Sequence, residues 1–244
     1  MEGCVICGST ELVRSHLLPA AFGRAVKGSG QTMWIGSAER DGRRVSQSGL
    51  SDRFLCDAHE HALHRADDYA VDFIRSFALT PAEVAAGRFR REGTENETLV
   101  RFACSVLWRF HHAKLREADH VDLGEWEPNM RDVSLGGNVA QAPDVLLFAS
   151  HQTVMPPDAL ILTPARGTHW GENTLQFVVN GLTFTTKLGH KNWPQAIQQS
   201  VLNQTPNWIE SCVHVWGEKE WRDMKRAANR LQRPHRPEAE VVSE

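Results

Sequence analysis

No apolar run in this chain reaches the eighteen or so residues of a membrane span, and the first residues lack the apolar core of a secretion signal. A membrane-bound or secreted protein is therefore not expected. Cysteine is scarce: five in 244 residues. That is too few for a disulfide scaffold and suits a reducing compartment, so a cytoplasmic location is the expectation. Neither charge sign dominates, with 27 Lys and Arg against 30 Asp and Glu and a net charge of -3. The protein as a whole is no electrostatic magnet for nucleic acid, and only a local basic patch could serve. HExxH and GxSxG are both missing, and no internal repeat is evident. The remainder is ordinary globular composition, 41% hydrophobic and 23% charged, in a chain long enough to bury a large core.

What the chain does have is concentrated in Leu55–Tyr69, LCDAHEHALHRADDY. Cys56 and His59 have the two-residue gap that lets one tetrahedral metal ion take both side chains from a tight turn. The chain start supplies the matching half: Cys4-Val-Ile-Cys7-Gly8, two thiols on a turn with glycine after the second. Cys4, Cys7, Cys56 and His59 together make a Cys₃His set, a closed structural zinc site. A redox CxxC or coincidence are the alternatives. No βαβ pattern surrounds Cys4, which weighs against the redox reading. Cys104 and Cys212 lie in apolar runs and read as buried small hydrophobes. Glu60, His64 and Asp67 follow at i, i+4 and i+7, which puts them on one helix face. A plain solvated face is the alternative there.

CVICG, then Ser15-His16-Leu17-Leu18-Pro19, then LCDAHE with Asp67 further on resembles the HNH endonuclease superfamily of ββα-metal, treble-clef zinc proteins. The resemblance is closest to a branch of uncharacterised bacterial and phage HNH-like proteins. It implies that His16 is the general base, and that Glu60 and residues further along the helix help hold a catalytic metal. The chain departs from the pattern at three places. Ser15 stands where many members carry a metal-binding aspartate. Ser51 or Asp52 stands where an asparagine positions the histidine. His59 replaces the usual fourth cysteine, which still makes a sound zinc site. Phe102–Arg109 and Leu175–Thr186 look like later blocks of the same branch.

In chain order, Pro19 opens a short helix running to Val26. Residues 28–54 are rich in Gly, Ser and Arg, with Thr32–Ile35 as a short strand. Arg14, Arg40, Arg43, Arg44 and Arg53 are the candidates for phosphate contacts, against the alternative of a solvated loop. A helix is expected over Asp57–Leu79, then Thr80 as N-cap with Pro81 at N1 and Glu83 near N3. Gly87–Gly93 reads as a charged loop with Arg88, Arg90 and Arg91 as a second basic cluster. A third helix is expected over Glu95–Ala118, with Leu99, Phe102, Ala103, Val106, Leu107 and Phe110 as its core stripe. Residues 119–142 read as a connection with short helices. Strands follow at Val145–Ser150, Ala159–Thr163, Leu175–Val179, Leu182–Lys187 and Cys212–Trp216, with Asn180-Gly181 as a hairpin turn and a crossing helix at Trp193–Leu202. Trp221–Leu231 is basic and amphipathic, and Arg233–Glu244 reads as a disordered tail.

The expected architecture is α+β. It comprises a zinc-stabilised HNH-like module over 1–80, an α+β domain over 81–232 with a helical middle and an antiparallel β-rich layer, and a tail over 233–244. The expected function is metal-dependent hydrolysis of DNA, with RNA as the alternative substrate. A neutral His16 would take a proton from water. Glu60, His64 and Asp67 would hold Mg²⁺ or Mn²⁺ opposite the leaving oxygen. The rival is a non-catalytic, zinc-stabilised binding or inhibitor protein, as in phage–host conflict. A monomer or homodimer fits either.

Overall fold

The computed structural model describes residues 3–22, 34–36, 44–45, 49–115, 118, 120–152 and 160–216. Arg40, Arg43 and the segments Trp221–Leu231 and Arg233–Glu244 lie outside the described residues, and Arg44 is described in its backbone alone. The fold is mixed α+β.

The chain opens on a tight turn. The Cys4 N–H donates to the Ser9 carbonyl at 2.7 Å and the Gly8 N–H to the Cys4 carbonyl at 2.8 Å. Gly8 takes φ 76, which a side chain would resist. Strand β1 (Ser15–His16) then pairs antiparallel with β4 (Ser51–Asp52), placing Ser15 opposite Asp52 and His16 opposite Ser51. Bonds from Val5 to Phe54, Val13 to Leu55 and Leu17 to Leu50 extend this ribbon on both sides. Residues 20–22 are helical, as expected after Pro19. The ribbon runs directly into helix α1 (Asp57–Ser76), which buries Leu63, Ala66, Asp67, Ala70, Val71 and Ile74.

Helix α2 (Pro81–Ala86) has the expected capping box. The Thr80 hydroxyl accepts from the Glu83 N–H, and the Glu83 carboxylate accepts from the Thr80 N–H. Helix α3 (Asn96–His112) is buried along nearly its whole length. It ends six residues before the expected Ala118, because the chain turns extended at Ala113 and the Asp52 carboxylate captures the Lys114 N–H at 2.6 Å. Helix α4 (Glu127–Ser134) lies in the connection, and the expected crossing helix is reduced to α5 (Gln195–Gln198) and a 3-10 turn.

Eight strands form the main sheet. They are β2 (Trp34–Gly36), β3 (Arg44–Val45), β5 (Arg88–Glu92), β6 (Val145–Gln152), β7 (Leu160–His169), β8 (Glu172–Val179), β9 (Leu182–Lys187) and β10 (Trp208–Trp216), in the order β3-β2-β7-β8-β9-β6-β10-β5. Three expectations need correction here. The layer is not purely antiparallel, since β10 runs parallel to β6 and β2 parallel to β7. Residues 88–92 form an edge strand paired with the first half of β10, and not a loop. Only Phe89 of that strand is buried, so the alternation that marks a strand is thin, and the outward charges guard an edge. Two of its three arginines are neutralised: Arg90 bonds Glu92 at 2.6 Å and Glu210 at 3.2 Å, and Arg91 bonds Glu83. Finally, Cys212 is exposed, because β10 turns Ser211 and Val213 inward instead. Cys104 is buried as expected, and burial pushes its thiol up to about 12.

One hydrophobic core runs from Cys4 to Val213, so residues before and after position 80 share it. Phe102 on α3 marks its centre. Its ring meets Phe22 at 6.2 Å on one side and Phe177 and Phe184 of the sheet at 6.0 and 5.3 Å on the other. Among the described residues, no helix is long and apolar enough to cross a membrane. Phe102→Ala is expected to destabilise the fold by about 3–5 kcal/mol in urea unfolding, since it empties a fully buried position between two layers.

Candidate functional site

The four expected metal ligands converge. The turn at Cys4–Gly8 presents two thiols, and the start of α1 presents Cys56 and His59 one helical turn apart. The four donor atoms lie within 4.8 Å of one another. His59 Nδ1 is 3.5 Å from Cys4 Sγ and 3.1 Å from Cys56 Sγ, and Cys7 Sγ is 3.8 Å from Cys56 Sγ. Tetrahedral zinc with Zn–S near 2.3 Å and Zn–N near 2.0–2.1 Å requires edges of about 3.8 Å between sulfurs and about 3.5 Å between sulfur and nitrogen. Two of the three separations match and the third is slightly short. This group could hold a metal ion such as zinc. Burial pushes the Cys4 thiol up, but backbone N–H groups of Cys7, Ile6 and Cys56 and the Cys7 side chain outweigh it and bring it down to about 6. A thiolate is thus available at neutral pH, as metal ligation requires.

His16 lies in β1, next to this cluster in the ribbon. Ribbon alternation turns Ser15 fully inward and leaves His16 half-buried on the other face. Ser51 stands opposite His16 on that same face, and continuing the register by one residue sets Arg14 opposite Arg53. Arg14 and Arg53 are both exposed, and Arg14 Nε donates to the Ser51 hydroxyl at 2.7 Å. Two cations therefore flank His16 on its own face. Asp52 lies on the opposite face and is occupied with backbone donors, Arg53 at 2.7 Å and Lys114 at 2.6 Å.

The α1 triplet does not stay together as a set of three exposed ligands. His64 is exposed and Glu60 half-buried, as a shared outer face requires. Asp67, expected beside them, is instead buried in the core. Its two carboxylate oxygens accept from Arg109 Nη2 at 2.8 and 2.7 Å. Arg109 Nη1 donates to the His16 carbonyl at 2.8 Å. The physical reason is that a fully buried guanidinium needs a counter-charge, and Asp67 is the acid that meets it. Burial pushes the Asp67 carboxyl up, Arg109 pulls it back, Glu60 adds to the rise and His64 opposes it. The triplet is thus still electrostatically connected.

Arg109 is the site residue that sequence reasoning passed over. The signal was present as a lone cation inside the apolar run Phe102–Phe110. Arg109 Nε is buried with no hydrogen-bond partner, as are Ser15 Oγ on β1 and Glu60 Oε2 on α1. Among the described residues, Cys4, Cys7, Cys56 and His59 are the one group of three or more such donors drawn together.

Two outcomes follow from this geometry. Purified protein is expected to carry about one zinc per chain by elemental analysis, and Cys56→Ser or a strong chelator should lower its thermal midpoint. Asp67→Ala should cost about 3–5 kcal/mol in denaturant unfolding, because it strands the buried Arg109 charge. Neither a family model, nor a curated protein, nor a solved structure matches this chain.

Proposed function

We propose that the protein is a metal-dependent nuclease of the HNH type, cutting phosphodiester bonds in DNA, with RNA as the alternative substrate. Cys4, Cys7, Cys56 and His59 hold a structural zinc that braces a treble-clef-like module made of the turn, the ribbon and α1. The observation that carries this reading is the Arg109 fork, which ties the His16 carbonyl to Asp67 on the helix that also bears Glu60. His16 lies on the ribbon face that also bears the exposed Arg14 and Arg53. Glu60 keeps a buried carboxylate oxygen with no donor, on the α1 face shared with His64. A negative oxygen held from water without a partner suits a cation.

In this mechanism His16 takes the proton from the attacking water, since imidazole titrates near neutrality. Arg14 and Arg53 hold the phosphate against the ribbon. Glu60 and His64, one helical turn apart, would hold a magnesium or manganese ion, whose contribution when bound would be charge neutralisation at the departing 3′ oxygen. Asp67 acts through Arg109 as a positioning residue: the guanidinium it holds bonds the His16 carbonyl and sets the distance from ribbon to helix.

A second reading has its own support. With Asp67 bound to Arg109, Glu60 and His64 are left as a two-ligand set, which suits a non-catalytic zinc-stabilised binding protein. Plasmid cleavage separates the two. Supercoiled DNA should be nicked by the wild type with added magnesium or manganese, and His16→Ala should lose at least about a hundredfold of that rate. If zinc-loaded protein nicks neither DNA nor RNA with either ion, the binding reading takes over.

A further inference from the structure

α1, α3 and α4 meet around a cavity of about 260 Å³ that the mechanism above does not use. Its charged and polar lining comes from all three helices: Arg65 from α1, Glu97, Thr98 and Arg101 from α3, and Ser134 from α4. Arg65 follows Glu60 by five residues, and at about 100° per residue that turns it to the other flank of α1. The cavity is therefore apart from the α1 face of Glu60 and His64.

Arg101 is the fixed element of this cavity. Helical spacing invites an ion pair with Glu97, four residues earlier and in the favoured order. That pair is not made. Arg101 Nη1 instead donates to the Val133 carbonyl at 2.8 Å and the Gly137 carbonyl at 2.7 Å, at the C-terminal end of α4. A cation suits that end of a helix. The turn after α4 holds the acceptors still, since a Cβ on Gly137 would run into the Asp132 carboxylate. Among the described residues, nothing bonds Arg101 Nε or Nη2, and neither atom is sealed from water. Those two nitrogens form the edge with parallel N–H groups that takes an oxyanion in bidentate fashion.

The other groups decide what the oxyanion must carry with it. Arg65 and Glu97 are exposed, and neither has an ion-pair partner among the described residues. Thr98 and Ser134 are buried, at 7% and 3% exposed. The Thr98 hydroxyl donates its proton to Glu95 at 2.9 Å, and the Ser134 hydroxyl to the Met130 carbonyl at 2.6 Å. Each therefore offers the cavity lone pairs and no proton. A bare phosphate or acetate would answer the arginines, but it would face the Glu97 charge and those lone pairs. A ligand with an ammonium beside its carboxylate answers both sets. Side chains four apart on a helix start about 5–6 Å from each other. Glu97 and Arg101 are thus spaced for an ammonium and a carboxylate on one carbon. The volume lies just under the roughly 300–1,000 Å³ of drug-sized pockets, which suits a molecule of amino-acid size.

We propose that the cavity between α1, α3 and α4 binds a free α-amino acid. Its carboxylate takes the Nε–Nη2 edge of Arg101, with Arg65 adding charge from α1. Its ammonium donates to Glu97 and to the Thr98 and Ser134 hydroxyls. Leu135, half-buried in the wall, is apolar surface left for the side chain. A ligand seated this way joins three helices and stabilises the folded state.

The test is thermal unfolding of the full-length protein as purified, with each of the standard amino acids at millimolar concentration. Isothermal titration calorimetry follows with whichever raises the midpoint most. At least one amino acid should raise the midpoint, whereas acetate, methylammonium and orthophosphate at the same concentration should not. Glu97→Gln, at an exposed and unpaired position, should change the unliganded midpoint little and weaken binding by about tenfold or more. Arg101→Lys keeps a cation for the two carbonyls but loses the two-nitrogen edge, and should weaken binding as much. If that variant is unstable, Glu97→Gln carries the test. No shift with any amino acid would overturn the site. So would phosphate or acetate binding as tightly as the amino acid with Glu97→Gln at full affinity, which would make the cavity a plain oxyanion trap. Neither readout involves cleavage, so the outcome is independent of the nuclease reading.

Discussion

The ion pair between Arg109 and Asp67 is the constraint from which the site takes its shape. Arg109 is fully buried on the core helix, where an unpaired guanidinium could not persist. Its fork reaches Asp67 on α1 with one nitrogen and the His16 carbonyl on the ribbon with the other. Three elements that meet nowhere in sequence are thereby held in one register. A hydrophobic contact would have tolerated sliding of α1 against α3. A forked cation with three hydrogen bonds does not, and it sets how far the His16 strand stands from the Glu60 face.

The Cys₃His cluster performs a different task at the other end of the ribbon. The two ribbon strands are only two residues long and supply few bonds of their own. Four ligands on two turns, closed around an ion, would clamp the start of the chain to the start of α1. Beyond the clamp, Leu17, Phe22, Leu55 and Leu63 merge into the core that α3 shares with the sheet. A metal held there would add to the common core in stabilising this small segment.

The cations are distributed unevenly with respect to chemistry. The Arg90 and Arg91 charges are matched by Glu83, Glu92 and Glu210, and Arg91 also stacks over Phe77 and Phe89. Those groups guard a sheet edge. Arg14 and Arg53 remain exposed beside His16, so a chain of net charge -3 can still present positive charge on this face. The two faces of the sheet diverge in the same way. One packs Phe177 and Phe184 on α3, and the other curls around Phe148 with buried hydroxyls left unsatisfied.

The sequence by itself determined the features whose signals are local. The ligand turns announce Cys4, Cys7, Cys56 and His59 because two-residue spacing is a property of the turn. The Thr80–Glu83 cap, the Asn180-Gly181 hairpin, β9 over Leu182–Lys187 and the core stripe of α3 were legible for the same reason: each is written within a few residues. Only the tertiary structure decided the rest. Helical spacing put Asp67 on a face with Glu60 and His64, but spacing carries no word of Arg109, which lies in a different helix. β5 hid behind its charges because one buried residue in five leaves no period. The parallel pairing of β6 with β10 and the curl that brings His169 to Phe148 join strands that sequence order keeps apart. Local propensity fixes what an element is. Which charge it meets, and which face it turns inward, depends on contacts across the fold that no local pattern encodes.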